Sequence, residues 1–290
     1  MKKLLLLIIP FLSFGQGWEQ TYGGSGNELG NSVQQTSDGG YIITGGTESF
    51  GEINYVYLVK TDTNGQEQWS QIYGQGVGNS VQQTSDGGYI IIGYSGNWSF
   101  YSNYPEEYYV IKTNLNGIEE WSQTFPGHSR RPSVQQTSDG GYIIAGCISL
   151  SDIEDTYGQL IKINESGIEE WVEYFIEPAE ISSIQETIGG GYIMVGRDGY
   201  WMVGSSSLYR LNNLGEIEWN QSIDLGLGCY FTAYSVQQTS DGGYIVAGGE
   251  YPFAGPYGIE CGQETGLIKT WGNGVIQWFQ LFENGYFQDV

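Results

Sequence analysis

A repeated aspartate is the first candidate for chemistry in this sequence. It occupies the same place in four copies of one phrase, and the remaining copy has Gly189 there. The four residues are Asp38, Asp86, Asp139 and Asp241. Spaced carboxylates can ligate calcium, but Asp before Gly-Gly is also typical of a tight turn. Because glycine suits a turn and would remove a metal ligand, the sequence favours structural turns and predicts no metal site.

A repeated cation follows in the second half of each unit. The five residues are Lys60, Lys112, Lys162, Arg210 and Lys269. A two-residue turn after each cation would place a residue of the following strand directly opposite that cation. The resulting opposed pairs are Lys60 with Glu67, Lys112 with Glu119, Lys162 with Glu169, Arg210 with Ile217 and Lys269 with Ile276. The Lys–Glu pairs are predicted to support the sheet weakly, and a central cation ring that binds an anion is the alternative.

Few residues could support acid–base or nucleophilic catalysis. His128 is the single histidine, and it forms with Arg130 and Arg131 the one basic cluster. A Ser-His-Asp triad would have to use His128, and no nucleophile-elbow motif is present. Glycoside hydrolysis needs only two carboxylates, which the 33 acidic residues could supply. The acids of the variable segments are interpreted as solvated charge: Glu106, Glu107, Asp152, Glu154 and Asp155.

The composition limits the classes of protein. The chain has 290 residues and a formal net charge of -23. Nucleic-acid binding is disfavoured because phosphate neutralisation needs Lys and Arg. Charged residues make up only 15% of the chain, whereas Gly (46 residues) and aromatic residues (15%) are abundant. These values favour a β-rich, turn-rich protein over a disordered chain or a helical bundle.

The first residues resemble a secretory signal. Lys2 and Lys3 precede an apolar run, and Ser13 and Gly15 occupy the small-residue positions of a cleavage site. We therefore predict a signal peptide over residues 1–15, cleaved before Gln16. The run is too short to span a bilayer, and no later segment of the sequence is long enough. The expected location is secreted or cell surface, with no transmembrane segment in the mature chain.

A phrase repeated five times indicates the architecture. SVQQTSDGGYI occurs four times, and a degenerate copy, SIQETIGGGYI, occurs once. The copies begin at Ser32, Ser80, Ser133, Ser183 and Ser235. Each is followed by a second phrase that ends in tryptophan, such as YLVKTDTNGQEQW. These tryptophans are Trp69, Trp121, Trp171, Trp219 and Trp278. A period of about 50 residues is typical of repeat architectures.

Each unit contains four strand-like segments, named a to d in chain order. In the first unit they are Ser32–Thr36, Tyr41–Gly45, Tyr55–Thr61 and Glu67–Tyr73. Asp-Gly-Gly joins a to b and Asn-Gly joins c to d, and both accept positive φ. The sequence therefore predicts an all-β fold, a β-propeller of four-stranded antiparallel blades. A solenoid is the alternative.

The two ends do not complete a whole number of blades. WEQTY at Trp18–Tyr22 matches strand d without a preceding a, b or c, and Tyr286–Val290 resembles the approach to another strand a. We predict five complete repeats plus a partial sixth, made of the leading d strand and the C-terminal stub. A reading frame truncated from a ring of six or more is the corresponding hypothesis, and a closed five-blade ring is the alternative. The predicted propeller covers 16–290, with repeats at approximately 24–74, 75–125, 126–175, 176–223 and 224–282.

The repeated phrases resemble several propeller families. NSVQQTSDGGYIITGG followed by YLVKTDTNGQEQW resembles a kelch repeat, and the second half is similar to quinoprotein-type blades. TSDGG also resembles the Asp-box turn of sialidase-like propellers, although Ile42-Ile43 replaces the usual ending. The whole chain from Gln16 resembles secreted repeat proteins of flavobacterial type. This resemblance implies a propeller and export, and it implies little about activity.

The variable segments are the predicted binding surface. In an antiparallel meander the a–b and c–d turns lie at one end of each blade, here called the turn face, and the b–c and d–a connections lie at the other, the loop face. The repeated phrases lie on the turn face, and loops on a repeated scaffold carry recognition. The ligand-binding candidates are Trp98, Tyr101, Tyr104, His128, Arg130, Arg131, Tyr200, Trp201, Tyr230, Tyr251, Phe253 and Tyr257. Aromatic side chains there could stack on sugars or anchor a protein, and packing within their own loops is the alternative.

The three cysteines have different predicted states. Cys229 and Cys261 lie in the d–a and b–c loops of one unit, on the same face, and export permits a disulfide between them. Cys147 ends strand b of another unit and is predicted to be a buried thiol.

The sequence favours an acidic, exported, monomeric binding or adhesion module without catalysis or cofactor. The tryptophans of strand d are expected to pack between blades, and a glycan or surface protein is the expected partner. A propeller enzyme is the first alternative, either a glycoside hydrolase or lyase or a quinoprotein-like dehydrogenase. A quinoprotein would bring cofactor-binding arginines and metal ligands, which are scarce in this chain. A structural repeat that spaces the domains of a longer surface protein is the second alternative.

Overall fold

The described residues form strands joined by turns, without a helix. The structure is a computed structural model that describes residues 19–51, 54–95, 107–127, 129, 131–149, 156–198, 206–225, 230–250 and 264–283. The signal segment, the stub at Tyr286–Val290 and most of the long loops lie outside these ranges. Among the described residues no helix has the length and apolar character needed to cross a bilayer.

The strands form five antiparallel four-stranded blades. The first blade contains β1 (Glu28–Gln35), β2 (Tyr41–Thr47), β3 (Tyr55–Thr61) and the first half of β4 (Glu67–Gln83). The second contains the rest of β4, β5 (Tyr89–Ser95), β6 (Glu107–Thr113) and β7 (Glu119–Pro126). The third contains β8 (Ser133–Gln136), β9 (Tyr142–Ser149), β10 (Thr156–Ile163) and β11 (Glu169–Phe175). The fourth contains β12 (Glu180–Glu186), β13 (Tyr192–Arg197), β14 (Ser206–Leu211) and β15 (Ile217–Ser222). The fifth contains β16 (Phe231–Gln238), β17 (Tyr244–Glu250), β18 (Glu264–Thr270) and β19 (Ile276–Glu283).

The strand order confirms the predicted all-β propeller of four-stranded blades. Consecutive strands pair within each blade, as a meander requires. β4 is continuous because strand d of the first blade runs directly into strand a of the second: Gln75 pairs with β3, and Gly76 pairs with β5. Short tight turns leave little room for any other pairing, since the strands they join are antiparallel neighbours.

The core lies between successive blades. Strands b and c are buried on both faces, so they are nearly continuous runs of Ile, Val, Leu and Tyr. Strand a alternates, and its apolar residue packs against the preceding blade. Val81, Val134, Ile184 and Val236 occupy this position and each lies in a different hydrophobic cluster shared by two neighbouring blades.

The tryptophan of strand d packs between blades, as predicted. Trp69 meets Tyr89 of the next blade edge to face, with ring centroids 5.8 Å apart. The same contact recurs between Trp121 and Tyr142 at 5.9 Å, Trp171 and Tyr192 at 6.4 Å, and Trp219 and Tyr244 at 6.3 Å. Each tryptophan therefore joins its blade to the glycine-tyrosine step that begins strand b of the next one.

The paired glutamines of the repeat form a second connection between blades. The side-chain oxygen of Gln34 accepts a hydrogen bond from the backbone N–H of Gln83 in the next blade at 2.7 Å, and Gln83 in turn accepts from the N–H of Ser37 at 2.8 Å. The pattern recurs at every later junction, with Glu186 in place of one glutamine. Neighbouring side chains of strand a point to opposite faces of the sheet, so one glutamine reaches forward and the next reaches back.

The c–d connections differ from the two-residue turns predicted from Asn-Gly. In the first blade Thr61 pairs with Glu67 and Lys60 with Trp69, with a register shift between the two pairs. The turn is closed by the Asp62 N–H donating to the Gln66 carbonyl at 2.9 Å, with Gly65 at φ 75°. A longer loop with a left-handed glycine and a bulge is the next common hairpin type. Beyond the bulge Lys60 faces Trp69, two residues later than the predicted Glu67.

Candidate binding face

The repeated aspartates build the a–b turns. Asp38 Oδ1 accepts hydrogen bonds from the Thr36 hydroxyl at 2.5 Å and from the Gly40 N–H at 3.0 Å. The same pair of bonds forms at Asp86, Asp139 and Asp241. The predicted turn-forming role is therefore confirmed, and among the described residues no cluster of acidic, histidine or cysteine side chains could hold a metal ion.

The repeated lysines pair with these aspartates and not with the predicted glutamates. Lys60 Nζ lies 2.8 Å from Asp38 Oδ2 and donates to the Thr61 carbonyl at 2.7 Å. Its side chain is 5% exposed. The same aspartate pairing is found for Lys112, Lys162 and Lys269. The predicted partners Glu67, Glu119 and Glu169 are wrong because the bulge places a tryptophan opposite each cation.

The bulge also selects a different glutamate. Lys112 and Lys162 contact Glu120 and Glu170, one residue later than predicted, at 2.8 and 3.0 Å. Lys112 thus uses its three ammonium protons on one aspartate, one glutamate and the Thr113 carbonyl. Because these cations are buried and neutralised within their own blades, they do not form an open anion-binding ring.

In the fourth blade both members of the repeated Lys–Asp pair are replaced. Gly189 stands where the other blades have aspartate, and Arg210 stands where they have lysine. The Arg210 guanidinium donates to the Tyr192 carbonyl at 3.0 Å and to the Gly190 carbonyl at 2.5 Å. The predicted opposition of Arg210 to Ile217, and of Lys269 to Ile276, is also wrong, because both cations face tryptophans. The longer arginine reaches backbone oxygens that the lysines do not, and its Nε lies 3.7 Å from Glu218 Oε2 in place of a turn aspartate.

The ion pairs leave the turn carboxyls strongly acidic. The hydrogen bond from Lys60, followed by that from Thr36, lowers the pKa of Asp38 to about 2. At Asp86, burial acts in the opposite direction, but the bonds from Lys112 and Thr84 outweigh it and the pKa is again about 2. Asp139 behaves as Asp86 does, and at Asp241 the Thr239 hydroxyl is the largest cause of a pKa of about 2. The repeated aspartates and lysines of the turn face are therefore engaged with each other.

Only two of the sequence-predicted binding residues lie among the described ones. Arg131 and Tyr230 are described, both at d–a connections of the loop face. The candidates outside the described residues are Trp98, Tyr101, Tyr104, His128, Arg130, Tyr200, Trp201, Tyr251, Phe253 and Tyr257. Cys229 and Cys261 are also outside them, so their disulfide stays a prediction. The loop acids Glu106, Asp152, Glu154 and Asp155 lie outside as well.

Arg131 makes the one described cation–aromatic contact of the loop face. Its guanidinium carbon lies 5.4 Å from the ring centroid of Tyr234, a distance at which the ring face attracts the cation. Arg131 leads into strand a of the third blade and is exposed, whereas Tyr234 is in β16 of the fifth. Two blades that are not neighbours therefore approach each other at their inner strands, which shows that the blades curve around a narrow centre.

Tyr234 occupies a bulge that the repeat phrase does not reveal. The register of strand a shifts between Ala233 and Ser235, and it shifts at the matching place in three other blades. A bulge re-aims the extra side chain. The extra residues are Asn31, Asn79, Ser182 and Tyr234, and the Asn31 amide reaches the Gly78 carbonyl of the next blade at 2.8 Å. These positions vary from blade to blade although their surroundings repeat.

A charged pair lies at the loop-face end of β12 and β13 in the fourth blade. Glu180 and Arg197 are directly opposed on β12 and β13, and their closest atoms are 2.8 Å apart. Arg197 Nε is buried without a hydrogen-bond partner among the described residues. The next residue, Asp198, accepts hydrogen bonds from the Ser207 and Tyr209 hydroxyls of β14. Sequence inspection missed these residues because their pairing follows from strand register and not from any phrase.

A buried thiol lies at the second junction. The Tyr108 hydroxyl accepts from the Cys147 N–H and donates to the Cys147 carbonyl, both at 2.7 Å. Burial is the main cause that raises the pKa of the Cys147 thiol far above its usual range. The prediction of a buried thiol is confirmed, and a neutral thiol of this kind is a poor nucleophile.

The described loop-face residues offer hydrogen-bond donors, a carboxylate and an aromatic ring. An exposed guanidinium held over an aromatic ring can hydrogen-bond hydroxyl, carbonyl or carboxylate groups.

Comparison with known proteins identifies the fold alone. The sequence matches no protein-family model, and no curated protein matches it significantly. A solved protein of unknown function from Bacteroides caccae is similar with a TM-score of 0.58 and 12% identity, over 88% of this chain and 82% of that one. A second, from Dyadobacter fermentans, gives 0.55 and 11%, over 87% and 81%. A xylan β-1,4-xylosidase from Bacillus halodurans gives 0.47 and 13%, over 88% and 55%. At these identities the first two show a shared fold and not a shared activity.

Proposed function

We propose that this chain is a non-catalytic binding module that recognises its ligand with the loop face. The observation that supports this most directly is the contrast between the two faces. On the turn face the recurrent aspartates and lysines bond to each other and to backbone groups of their own blades. On the loop face the residues change from blade to blade, and exposed Arg131 lies over Tyr234. A scaffold that repeats beneath a surface that varies is the usual arrangement of a binding protein.

The proposed ligand is a neutral polysaccharide. The sequence of the loops is rich in Trp, Tyr and Phe, whose rings stack on sugar faces. Guanidinium groups such as that of Arg131 donate to sugar hydroxyls. A formal net charge of -23 repels polyanions at long range, so an uncharged chain is favoured over an acidic one. The signal-like residues 1–15 support export, which would bring the module to extracellular or surface glycans.

The test is a panel of soluble polysaccharides incubated with the chain lacking residues 1–15. Retardation in affinity gels and release of products are measured on the same samples. We expect retardation by at least one neutral polysaccharide with no products. Released oligosaccharides would contradict the proposal and favour a propeller enzyme, and absence of both effects would favour a structural spacer.

Substitutions locate the surface. Trp98→Ala, Trp201→Ala and Arg131→Ala should each weaken retardation without lowering the melting temperature. Ile168→Ala is the matched control, because Ile168 is exposed in a c–d turn of the opposite face. If Ile168→Ala weakens binding as much as the loop-face variants, the loop face is not the binding surface.

A further inference from the structure

The first and fifth blades each expose one half of a contact that is complete at the four internal junctions. The leading face of the first blade comprises Leu29, Val33 and Gln35, and the trailing face of the fifth comprises Gln237, Trp278 and Phe282. Val33 is 58% exposed, whereas its equivalents Val81, Val134, Ile184 and Val236 are 3–5% exposed. Exposed apolar residues of this kind, rimmed by polar ones, mark an interaction surface.

The trailing face shows the complementary half. Trp278 is 47% exposed, while the four earlier tryptophans of strand d are each packed against a tyrosine. Phe282 is 38% exposed, while residues at its position in the other blades, Tyr73, Phe125, Phe175 and Ile223, are at most 9% exposed. Gln237 is exposed, and its equivalents Gln34, Gln82, Gln135 and Gln185 each accept from a backbone N–H of the next blade.

Residues 19–22 already occupy part of the leading face. The Tyr22 hydroxyl donates to the carbonyl of Gly65 at 2.7 Å. The Tyr73 hydroxyl of strand d donates in the same way to the carbonyl of Gly117 in the next blade, at 2.6 Å. Tyr22 in WEQTY is therefore placed as Tyr73 is in WSQIY. The position of an outer strand d in front of the first blade is thus filled, whereas no described residue fills the inner positions beside Val33, which is 58% exposed.

The position of residues 19–22 limits what could dock between the leading and trailing faces. A second copy docked by its fifth blade would bring its own β19 to the position held by residues 19–22. A unit of three strands, a to c, meets no such obstacle and would take residues 19–22 as its fourth strand. Such a unit needs a tyrosine after Gly-Gly for Trp278, and an inner strand of the S-V-Q-Q type to exchange hydrogen bonds with Gln237 on one side and Gln35 on the other.

We infer that the leading and trailing faces are two sides of one docking site for a three-stranded β-unit of the same repeat type. The curvature supports a single site, because Arg131 of the third blade reaches Tyr234 of the fifth, two blades further along the chain. The four internal junctions show each contact that the unit would make. Its tyrosine would meet Trp278, its apolar strand-a residue would cover the trailing face, and its own forward-facing glutamine would accept from the Gln35 N–H.

The test uses a polypeptide of residues 27–62, which holds β1 to β3 with the a–b turn and the b–c loop that join them. It is added in trans to the chain lacking residues 1–15, and binding is followed by calorimetry and by thermal unfolding. We expect a one-to-one complex and a melting temperature raised by about 3–5 °C at saturation. Failure to bind at millimolar polypeptide would overturn the inference.

Variants on each face keep the result specific. Trp278→Ala and Val33→Asp in the full chain should each weaken the complex about tenfold or more, and both residues are exposed enough to be changed without unfolding. Trp271→Ala is the matched control, because Trp271 is an exposed tryptophan in the c–d turn of the same blade. Concentration-dependent dimers of the chain that Trp278→Ala abolishes would overturn the inference in favour of a second copy.

Discussion

The second glycine of each Asp-Gly-Gly turn is required by the lysine beside it. A Cβ on Gly88 would overlap the Thr113 carbonyl oxygen and lie 2.8 Å from Lys112 Nζ. The equivalent glycines Gly40, Gly141 and Gly243 are in the same position. Since the ammonium group bonds both to that carbonyl and to the turn aspartate, the missing side chain makes room for the buried ion pair. The Gly-Gly step is therefore set by packing as well as by turn geometry.

Gly88→Ala should lower the free energy of unfolding by about 2 kcal/mol or more, because the new methyl group displaces a carbonyl and a buried cation. Gly87→Ala is the matched control: Gly87 has φ +84° but open space around its Cα. That change should cost only about 1 kcal/mol, from the left-handed conformation. Urea denaturation measures both values, and equal losses would show that the turn conformation alone matters.

The turn aspartates make stability depend on pH in the acid range. Their folded pKa, about 2 at Asp86, lies below the value near 4 of an unfolded aspartate. The stabilisation is fully present above about pH 4 and is lost as the pH falls towards 2. The carboxyls are more than half exposed, so solvent screens each contribution. Asp86→Asn should reduce the fall in the urea midpoint between about pH 5 and pH 2.5. An unchanged fall would show that other groups cause the acid sensitivity.

At the scale of the elements, strands were predictable and their exact register was not. Alternation, β propensity and Gly-containing turns located strand c of the first unit at Tyr55–Thr61, which is where the structure has it. Asn-Gly suggested a two-residue c–d turn, but the chain uses a longer loop with a bulge. With that shift the predicted Lys–Glu pairs are lost: Lys112 and Lys162 contact Glu120 and Glu170 instead. The same lysines also pair with the aspartates of the a–b turns. Register depends on contacts across strands and blades, which a phrase of ten residues does not contain.

The contacts between blades depend on the tryptophan of strand d. Trp121 packs on Tyr142, and its indole N–H donates to the Glu165 carbonyl of the next blade at 3.2 Å. Trp121→Ala should therefore lower the free energy of unfolding by about 3 kcal/mol. Trp278→Ala should cost less than about 1 kcal/mol in the isolated chain, since Trp278 is largely exposed. Chemical denaturation of the two variants tests this, and similar losses would contradict the role assigned to the junctions.

For the whole molecule, the binding surface was the least predictable part. The repeat identifies the scaffold because the same contacts recur at each junction. Arg131 contacts Tyr234 because of a bulge and the curvature of the blades, and Glu180 contacts Arg197 because of strand register. No local motif in the sequence predicts either contact. In a repeat fold the recognition residues are expected among those that do not repeat. The repeated phrases therefore predict the architecture and not the ligand.

Blades that meet a neighbour on both sides should be more stable than blades that meet one. The third blade is covered by the second and the fourth, whereas the first exposes Val33. In quasi-one-dimensional repeats, stability is a sum of unit and nearest-neighbour contributions. Amide hydrogens of β9 should therefore exchange about tenfold or more slowly than those of β2, although both strands begin Tyr-Ile-Ile. Hydrogen exchange read by mass spectrometry tests this directly. Equal protection would mean that the first blade already has a neighbour. Slower exchange in β2 after addition of the 27–62 polypeptide would support a three-stranded unit as the occupant of the docking site.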